Sequence, residues 1–201
     1  MRRGLIVVLA MVLAGCASDR YEVVRPPERA ADVYPHAHAH HAVAVAAEAI
    51  ARERRTRLYF GAPLAEQGVL PVRVLVTNHG DQPLRVDPKD VLLARRGAAL
   101  DPLPVELVAR AVERARGDVA AETAREIRAY LGEVVLKAGA VAPGQTGGGV
   151  LFFQVADDGK GGYQRLSVLD VYGAEALELT MQVTATESGE RLRFGPFYLG
   201  D

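Results

Sequence analysis

Apolar and polar residues alternate along most of the chain from residue 42 onward, a pattern typical of half-buried β-strands. In the stretch 70–77, Val72, Val74 and Val76 fall on one face. The clearest alternation lies near the C-terminal end and is formed by eight successive residues: Leu177, Glu178, Leu179, Thr180, Met181, Gln182, Val183 and Thr184. Such strands belong to antiparallel sheets that have one face in the core and the other in water.

Turn-forming residues divide this part of the chain into short strands. The segment 78–83 contains Asn, Gly, Asp and Pro, and the segment 187–190 contains Ser and Gly. Short antiparallel strands between such turns predict a mainly β protein with a β-sandwich over residues 42–201. The C-terminal strands are expected at 150–155, 166–172, 177–186 and 192–199.

The apolar period lengthens to that of a helix between about residues 104 and 131. Gly117 is a suitable stop for a first helix, and Asp118 is a suitable N-cap for a second. Two apolar stripes have helical spacing, one on each side of this break: Val105, Val108 and Val112, then Val119, Thr123, Ile127 and Leu131. We therefore expect a short two-helix insert, packed over one edge or end of the sandwich.

An amphipathic helical pair of this kind has two possible roles. It can cover an open sheet edge by packing against it, or it can present an apolar surface to a partner protein. In the second interpretation the candidate partner-binding residues are Val108, Val112, Ile127 and Tyr130, with Tyr130 as an anchor. The sequence leaves both roles open.

The start of the chain has a different pattern. Arg2 and Arg3 precede an apolar run over residues 5–13, and the tetrad Leu-Ala-Gly-Cys ends at Cys16. A basic start, a short apolar run and small residues before a cut site predict a secretory signal peptide over residues 1–15. The apolar run is shorter than the ~18–20 residues that a membrane-spanning helix needs.

The tetrad that ends at Cys16 resembles the lipobox of bacterial lipoproteins. That resemblance implies that the signal is removed before Cys16, that this thiol is diacylated and that the new N-terminus is acylated as well. Ala17, rather than Asp, follows the cysteine, which in lipoproteins of double-membraned bacteria implies sorting to the outer membrane, facing the periplasm. Three acyl chains, at ~0.8 kcal/mol per buried methylene, would make release from the lipid bilayer negligible.

Residues 16–41 lack an apolar period and contain prolines and alternating alanine and histidine. They are expected to form a flexible tether, in which about 24 residues could reach on the order of 80 Å when stretched. His36, His38 and His40 would point to one side of an extended chain, and with His41 they form a candidate metal site for copper, nickel or zinc. The alternative is a solvated linker that is incidentally rich in histidine.

Composition narrows the classes of function. The chain has 201 residues, of which 49% are hydrophobic, and a formal net charge of −1. Loss of residues 1–15 would remove Arg2 and Arg3, which leaves 22 basic and 25 acidic residues and a net charge of −3. A slightly acidic body lacks the basic footprint of a nucleic-acid-binding protein. Since Cys16 is the single cysteine, no disulfide can stabilise the acylated chain.

Several segments are similar to the immunoglobulin-like modules of bacterial envelope lipoproteins. They are the Val-x-Val-x-Val-Thr-Asn strand at 72–78, the Gly-Asp-Gln-Pro turn at 80–83, the Pro-Gly pair at 143–144 and the strand at 149–153. The resemblance spans about residues 42–199 and implies an immunoglobulin-like antiparallel β-sandwich. The chain departs from antibody-type domains because it lacks the inter-sheet cysteines and any tryptophan, and because it carries the helical insert.

Catalytic motifs find little support in the sequence. The body has one histidine, His79, which lies in a predicted turn. The glycine clusters at 147–149 and 159–162 do not match a phosphate-binding loop and are expected in hairpin loops that need a positive φ. The chain has three serines, none of which stands in a G-x-S-x-G elbow: Ser18, Ser167 and Ser188.

These observations favour a non-enzymatic envelope lipoprotein without a cofactor, which acts as a binding or structural module. Its expected contacts are the lipid bilayer, through acylated Cys16, and an envelope protein or polymer. A first alternative is a metal-binding lipoprotein that uses residues 36–41. A second is a hydrolytic enzyme, in which His79 would be the candidate base.

Overall fold

A computed structural model of the chain describes residues 21–155 and 177–199. Two antiparallel sheets form the predicted β-sandwich. The described strands are β1 (His38–His40), β2 (Val43–Ala49), β3 (Val69–Asn78), β4 (Leu84–Val86), β5 (Val91–Arg95), β6 (Ala98–Leu100), β7 (Gly139–Val141), β8 (Thr146–Gln154), β9 (Leu177–Ala185) and β10 (Arg191–Tyr198). The described α-helices are α1 (Glu53–Phe60), α2 (Val105–Arg116) and α3 (Ala121–Val134), and short 3-10 turns lie at Ala31–Val33, Leu64–Gln67 and Pro88–Asp90.

The first sheet has the strand order β1-β2-β3-β8, in which β3 pairs antiparallel with β2 on one side and with β8 on the other. The second sheet has the order β6-β5-β9-β4-β7, with β10 paired to β9. The expected strands near residues 150, 177 and 192 are confirmed as β8, β9 and β10. The strand expected at 166–172 lies outside the described residues.

The main core lies between the two sheets, because each sheet points one set of alternate side chains toward the other. From β3 the core receives Leu70, Val72, Val74 and Val76. The second sheet contributes every other residue of its central strand, all of them almost fully buried: Leu177, Leu179, Met181, Val183 and Ala185.

A second core lies on the outer face of the first sheet, beneath the helices. Phe152 of β8 points out of the sandwich and meets Phe60 of α1 edge-on, with ring centroids 5.3 Å apart. The helical residues that join this cluster include Val108, Val112, Ile127 and Leu131. Because the first sheet is covered on both faces, all ten residues of β3 are buried.

The predicted two-helix insert is confirmed, and its helices cover a sheet face rather than an edge or end of the sandwich. Gly117 ends α2 with a φ of +87°, a conformation that glycine adopts without strain. The prediction that Asp118 caps α3 is wrong, because α3 begins after Ala120 and no side chain caps it. Asp118 lies in the link between the helices.

The expected hairpin loop at residues 147–149 is also wrong, because these glycines lie inside β8 without a positive φ. Their lack of a side chain permits close approach instead. A Cβ at Gly148 would lie 2.2 Å from the carbonyl oxygen of Val74, and one at Gly149 would lie 2.5 Å from the Cα of Leu136. The glycine cluster at 159–162 lies outside the described residues.

Candidate functional site

The candidate lipid-attachment residue, Cys16, and the predicted signal peptide lie outside the described residues. Description begins at Tyr21, five residues after Cys16, and Tyr21 is held by several contacts. Its hydroxyl donates a hydrogen bond of 3.0 Å to the carbonyl of Phe60. Its ring meets Tyr130 edge-on at 5.8 Å, and the Arg116 guanidinium lies 5.7 Å from the ring centroid.

The electrostatics of this contact reflect a partly buried pair of phenols. Burial raises the pKa of Tyr21 well above its ordinary value, and the neighbouring Tyr130 raises it further while Arg116 opposes the shift. Burial also raises the pKa of Tyr130, to about 12, although Arg25 opposes this shift. Both phenols are therefore neutral at physiological pH and act as hydrogen-bond donors and packing groups.

Residues 21–37, which we call the strap, cross the outer face of the first sheet. The backbone N–H of Ala31 donates to the Thr77 hydroxyl at 2.7 Å. The Arg73 guanidinium donates to the carbonyl of Pro27 and lies 5.8 Å from the ring centroid of Tyr34. Arg73 is only 4% exposed, so these contacts satisfy a charge that would otherwise be buried at high cost.

The strap corrects the prediction of a flexible tether for residues 21–41; residues 16–20 lie outside the described part of the chain. The segment has no helical or strand period because it forms an extended cover rather than a packed element of its own. Its backbone groups bond to side chains and carbonyls of the body. Together with Ala44, Ala46 and Leu75 of the sheet, Ala31 forms a small buried cluster.

The histidines of the candidate metal site separate into different environments. His38 and His40 lie on β1, an exposed strand that pairs with β2. The His38 ring stacks at 4.4 Å on Phe197 of the second sheet, whereas the His40 ring meets His41 edge-on at 4.1 Å. Across residues 21–155 and 177–199, no three His, Cys, Asp or Glu side chains gather as a metal site would require.

The proposed partner-binding residues of the insert point inward. Val108, Val112 and Ile127 are 0% exposed and belong to the second core, so they form no docking surface in this structure. The helical spacing of these apolar residues was predicted correctly. That spacing is the same in a helix that packs into a core and in a helix that binds a partner, so it does not distinguish the two. Tyr130 is partly buried and contacts the strap, where its hydroxyl lies 3.4 Å from the Val24 carbonyl.

Of the candidate catalytic residues, the structure describes His79 and Ser188, and no hydrogen bond among those of the described residues joins their side chains. His79 is exposed in a turn, where its backbone N–H donates to Ala42 at 2.7 Å. Ser188 lies at the β9–β10 hairpin, where its hydroxyl accepts a hydrogen bond from the Glu190 backbone. Ser18 and Ser167 lie outside the described residues.

A small cleft lies beside the strap, with a volume of about 50 Å³. Charged groups of both signs line it, including Arg25, Glu28, Arg73 and Glu133, and Arg25 forms an ion pair with Glu133. A space of this size holds a few water molecules. The cleft is therefore suited to hydration of the strap rather than to a substrate.

Sequence reasoning missed the contacts of the strap, although one signal was present. Arg73 interrupts the apolar run at residues 69–76 of the strand Val69–Asn78, and a charge in a doubly covered strand requires a partner. The aromatic residues Tyr21 and Tyr34 of the predicted tether were the corresponding clue, because isolated large side chains gain by burial.

No helix in the described residues is long and apolar enough to cross a membrane. No protein-family profile matches the chain, and no curated protein matches it significantly. One similar solved structure is that of the ycdA protein of Bacillus subtilis, provisionally described as a lipoprotein; it is 15% identical, with a TM-score of 0.41, over 79% of this chain and 37% of that one. The chain thus spans little more than a third of that protein's length, and a likeness of this size carries no conclusion about function.

Proposed function

We propose that this chain is a lipid-anchored lipoprotein of the bacterial envelope that acts without catalysis, as a binding or structural module. The observation that carries the proposal is the Leu-Ala-Gly-Cys tetrad ending at Cys16, after a basic start and a short apolar run. The acyl chains on Cys16 would hold the body at a lipid leaflet, and Ala17 favours the periplasmic face of the outer membrane.

The architecture of the body is compatible with this function. Two cores and a strap stabilise a rigid β-sandwich. His79 and Ser188 are exposed in neighbouring turns, and no hydrogen bond among those of the described residues joins their side chains. A rigid scaffold with an anchor at one end suits a protein that holds or contacts something else in the envelope. The contacted partner would be an envelope protein or polymer.

Expression of the full chain and of its Cys16→Ser variant tests the proposal. The native product should fractionate with membranes, and its mass should show loss of residues 1–15 and gain of acyl chains. The variant should retain its leader and lack the acyl mass. A native product with an unmodified thiol at Cys16 would refute the lipoprotein assignment.

The non-catalytic part of the proposal has its own test. The full chain, in detergent, should turn over none of a panel of ester, peptide and glycoside substrates. Turnover that His79→Ala abolishes, while the similarly exposed His41→Ala variant retains it, would overturn this part. Circular dichroism should show that each preparation is folded, so that a lack of turnover is not caused by unfolding.

A further inference from the structure

We propose that the exposed face of helix α1, formed by Arg54, Arg57 and Leu58, lies on the phospholipid headgroups of the leaflet that holds Cys16. The inference rests on the proposed acylation of Cys16. It assigns the surface that the body presents to the membrane, with an anionic bilayer as its partner.

The distance between the anchor and the body is the first step. Tyr21 follows Cys16 by five positions along the chain, and a fully extended chain spans at most about 3.6 Å per residue, or roughly 18 Å in all. Tyr21 is bonded to Phe60 and packed on Tyr130. The body therefore stays close to the bilayer, in contrast to the reach on the order of 80 Å that a tether through residue 41 would allow.

The end of α1 adjoins Tyr21, the first described residue after this short link. The strap runs along it, with the Val24 N–H donating to the Leu58 carbonyl at 2.9 Å. The buried side of α1 consists of Thr56 and Phe60, both 0% exposed. Arg54, at i−4 from Leu58, is on the same exposed side of the helix, because residues three and four apart are neighbours on a helix surface.

The charge of this face suits anionic headgroups. Residues 48–57 contain four arginines and two glutamates, a net charge of +2, on a mature chain whose expected charge is −3. Glu48 is half-buried and binds Arg55 at 2.7 Å. Glu53 pairs with Arg57 at 2.8 Å in an exposed i,i+4 pair, which is weak in water. Phosphate groups can therefore compete for these arginines.

Exposed apolar groups lie beside the arginines. Leu58 is 46% exposed and Val24, which is hydrogen-bonded to its backbone, is 52% exposed. Basic and apolar side chains on one helix face are the combination that interfacial helices use at the boundary between headgroups and acyl chains. A helix of two turns binds weakly by itself, but the anchor would hold it at high local concentration near the surface.

The helices, the first sheet and the second sheet form three layers, and their spacing sets the expected distance of each layer from the bilayer. Helices cover the first sheet, and the second sheet lies behind it at the usual spacing of about 10 Å per layer. The outer face of the second sheet should therefore lie roughly 20 Å farther from the bilayer than α1. Tyr198 on that face is 61% exposed and serves as the distant reference point.

Nitroxide probes at two positions test this orientation. Leu58→Cys and Tyr198→Cys would be made separately in the full chain, whose Cys16 is blocked by acylation, and reconstituted in vesicles of phosphatidylglycerol and phosphatidylethanolamine. The probe at 58 should collide several-fold less with a water-soluble nickel chelate, relative to oxygen, than the probe at 198. Equal collision ratios in protein that mass spectrometry shows to be acylated would overturn the inference while leaving the proposed function intact.

Two matched sets of charge-reversal variants distinguish electrostatic attraction to anionic lipid from the proximity to the bilayer that the anchor alone would produce. Arg52→Glu, Arg54→Glu and Arg57→Glu together should abolish the protection at position 58, because each arginine strengthens such a contact about fivefold. The control reverses three exposed arginines of the second sheet, Arg85, Arg191 and Arg193, and should keep the protection. Protection that survives the α1 reversals, or that is the same in phosphatidylcholine vesicles, would contradict the assignment of an anionic bilayer.

Discussion

The two sheets of the sandwich differ in how many of their faces are covered. The outer face of the first sheet lies beneath the helices and the strap, and all ten residues of its strand β3 are buried. No described helix or strap segment covers the outer face of the second sheet, and its strand β9 alternates strictly between buried and more accessible residues. We call these two surfaces the covered face and the open face.

This difference shows what an alternating pattern reports. Alternation in β9 records one dry and one wet face, whereas the nearly continuous apolar run of β3 records two dry faces. The covered face also contains groups that an open face would leave in water, such as Arg73 and Thr77. Their hydrogen bonds to the strap make the cover part of the fold rather than an attachment to it.

The largest effect should come from removing a large side chain beneath the helices. Phe152→Ala deletes a ring that is 1% exposed and packed on Phe60, so we expect a loss of about 3–5 kcal/mol in the free energy of unfolding. The matched change on the open face, Tyr198→Ala, should cost less than about 0.5 kcal/mol. Urea unfolding followed by circular dichroism measures both, and similar losses would remove the distinction between the faces.

The next effect concerns the strap. Arg73→Met removes the donor to the Pro27 carbonyl and should cost about 1–3 kcal/mol, with faster hydrogen exchange over residues 21–34. Arg193→Met on the open face is the control and should change stability by less than about 0.5 kcal/mol. Unchanged exchange in the strap of the Arg73 variant would show that other contacts hold it.

The sequence correctly predicted those strands and helices in which the spacing of the apolar residues matches the residues that are buried in the structure. The strands β8, β9 and β10 and both helices of the insert follow from spacing alone. Their packing did not follow, because Val108, Val112 and Ile127 would show the same stripe in a core or at an interface. The candidate lipid-attachment site at Cys16 rests on a short motif that is recognised locally along the chain, and it stays a prediction because residues 1–20 lie outside the described part.

Tyr21 and Tyr34 of the strap indicate burial, but the surface on which the strap packs could not be predicted from its own residues. An extended segment with prolines looks the same whether it is solvated or packed, because its hydrogen bonds go to distant side chains such as Thr77. The glycines at 147–149 were misassigned for a related reason. A glycine required by the approach of Leu136 has no local mark that separates it from a glycine required by a turn.

The pH dependence of the free energy of unfolding tests the packing of the covered face at Tyr21, where the strap begins. Burial raises the pKa values of Tyr21 and Tyr130 above about 10, the ordinary value for tyrosine. The folded state then binds more protons than the unfolded state in alkaline solution, so this contribution to stability is complete below pH ~10 and is lost as the pH rises further.

The free energy of unfolding should therefore fall more steeply between pH ~10 and ~12 in the native protein than in a Tyr21→Phe, Tyr130→Phe double variant. Tyr198→Phe on the open face should retain the native slope, because that ring is exposed in both states. Unfolding in urea at a series of pH values gives the slopes. Equal slopes for the native protein and the double variant would mean that Tyr21 and Tyr130 are hydrated in the folded state.

The smallest effect is expected where the end of the first sheet meets the second. His38 stacks at 4.4 Å on Phe197, and an aromatic pair of this kind contributes about 0.5–1.5 kcal/mol. Because His38 is exposed, His38→Ala should lose stability near the lower end of that range. His40→Ala, two residues along β1 and without a contact to Phe197 among those described, is the control and should lose less. If the two variants unfold at the same urea concentration, β1 is held by its pairing with β2 alone, and the contact between the sheets at this edge contributes nothing measurable.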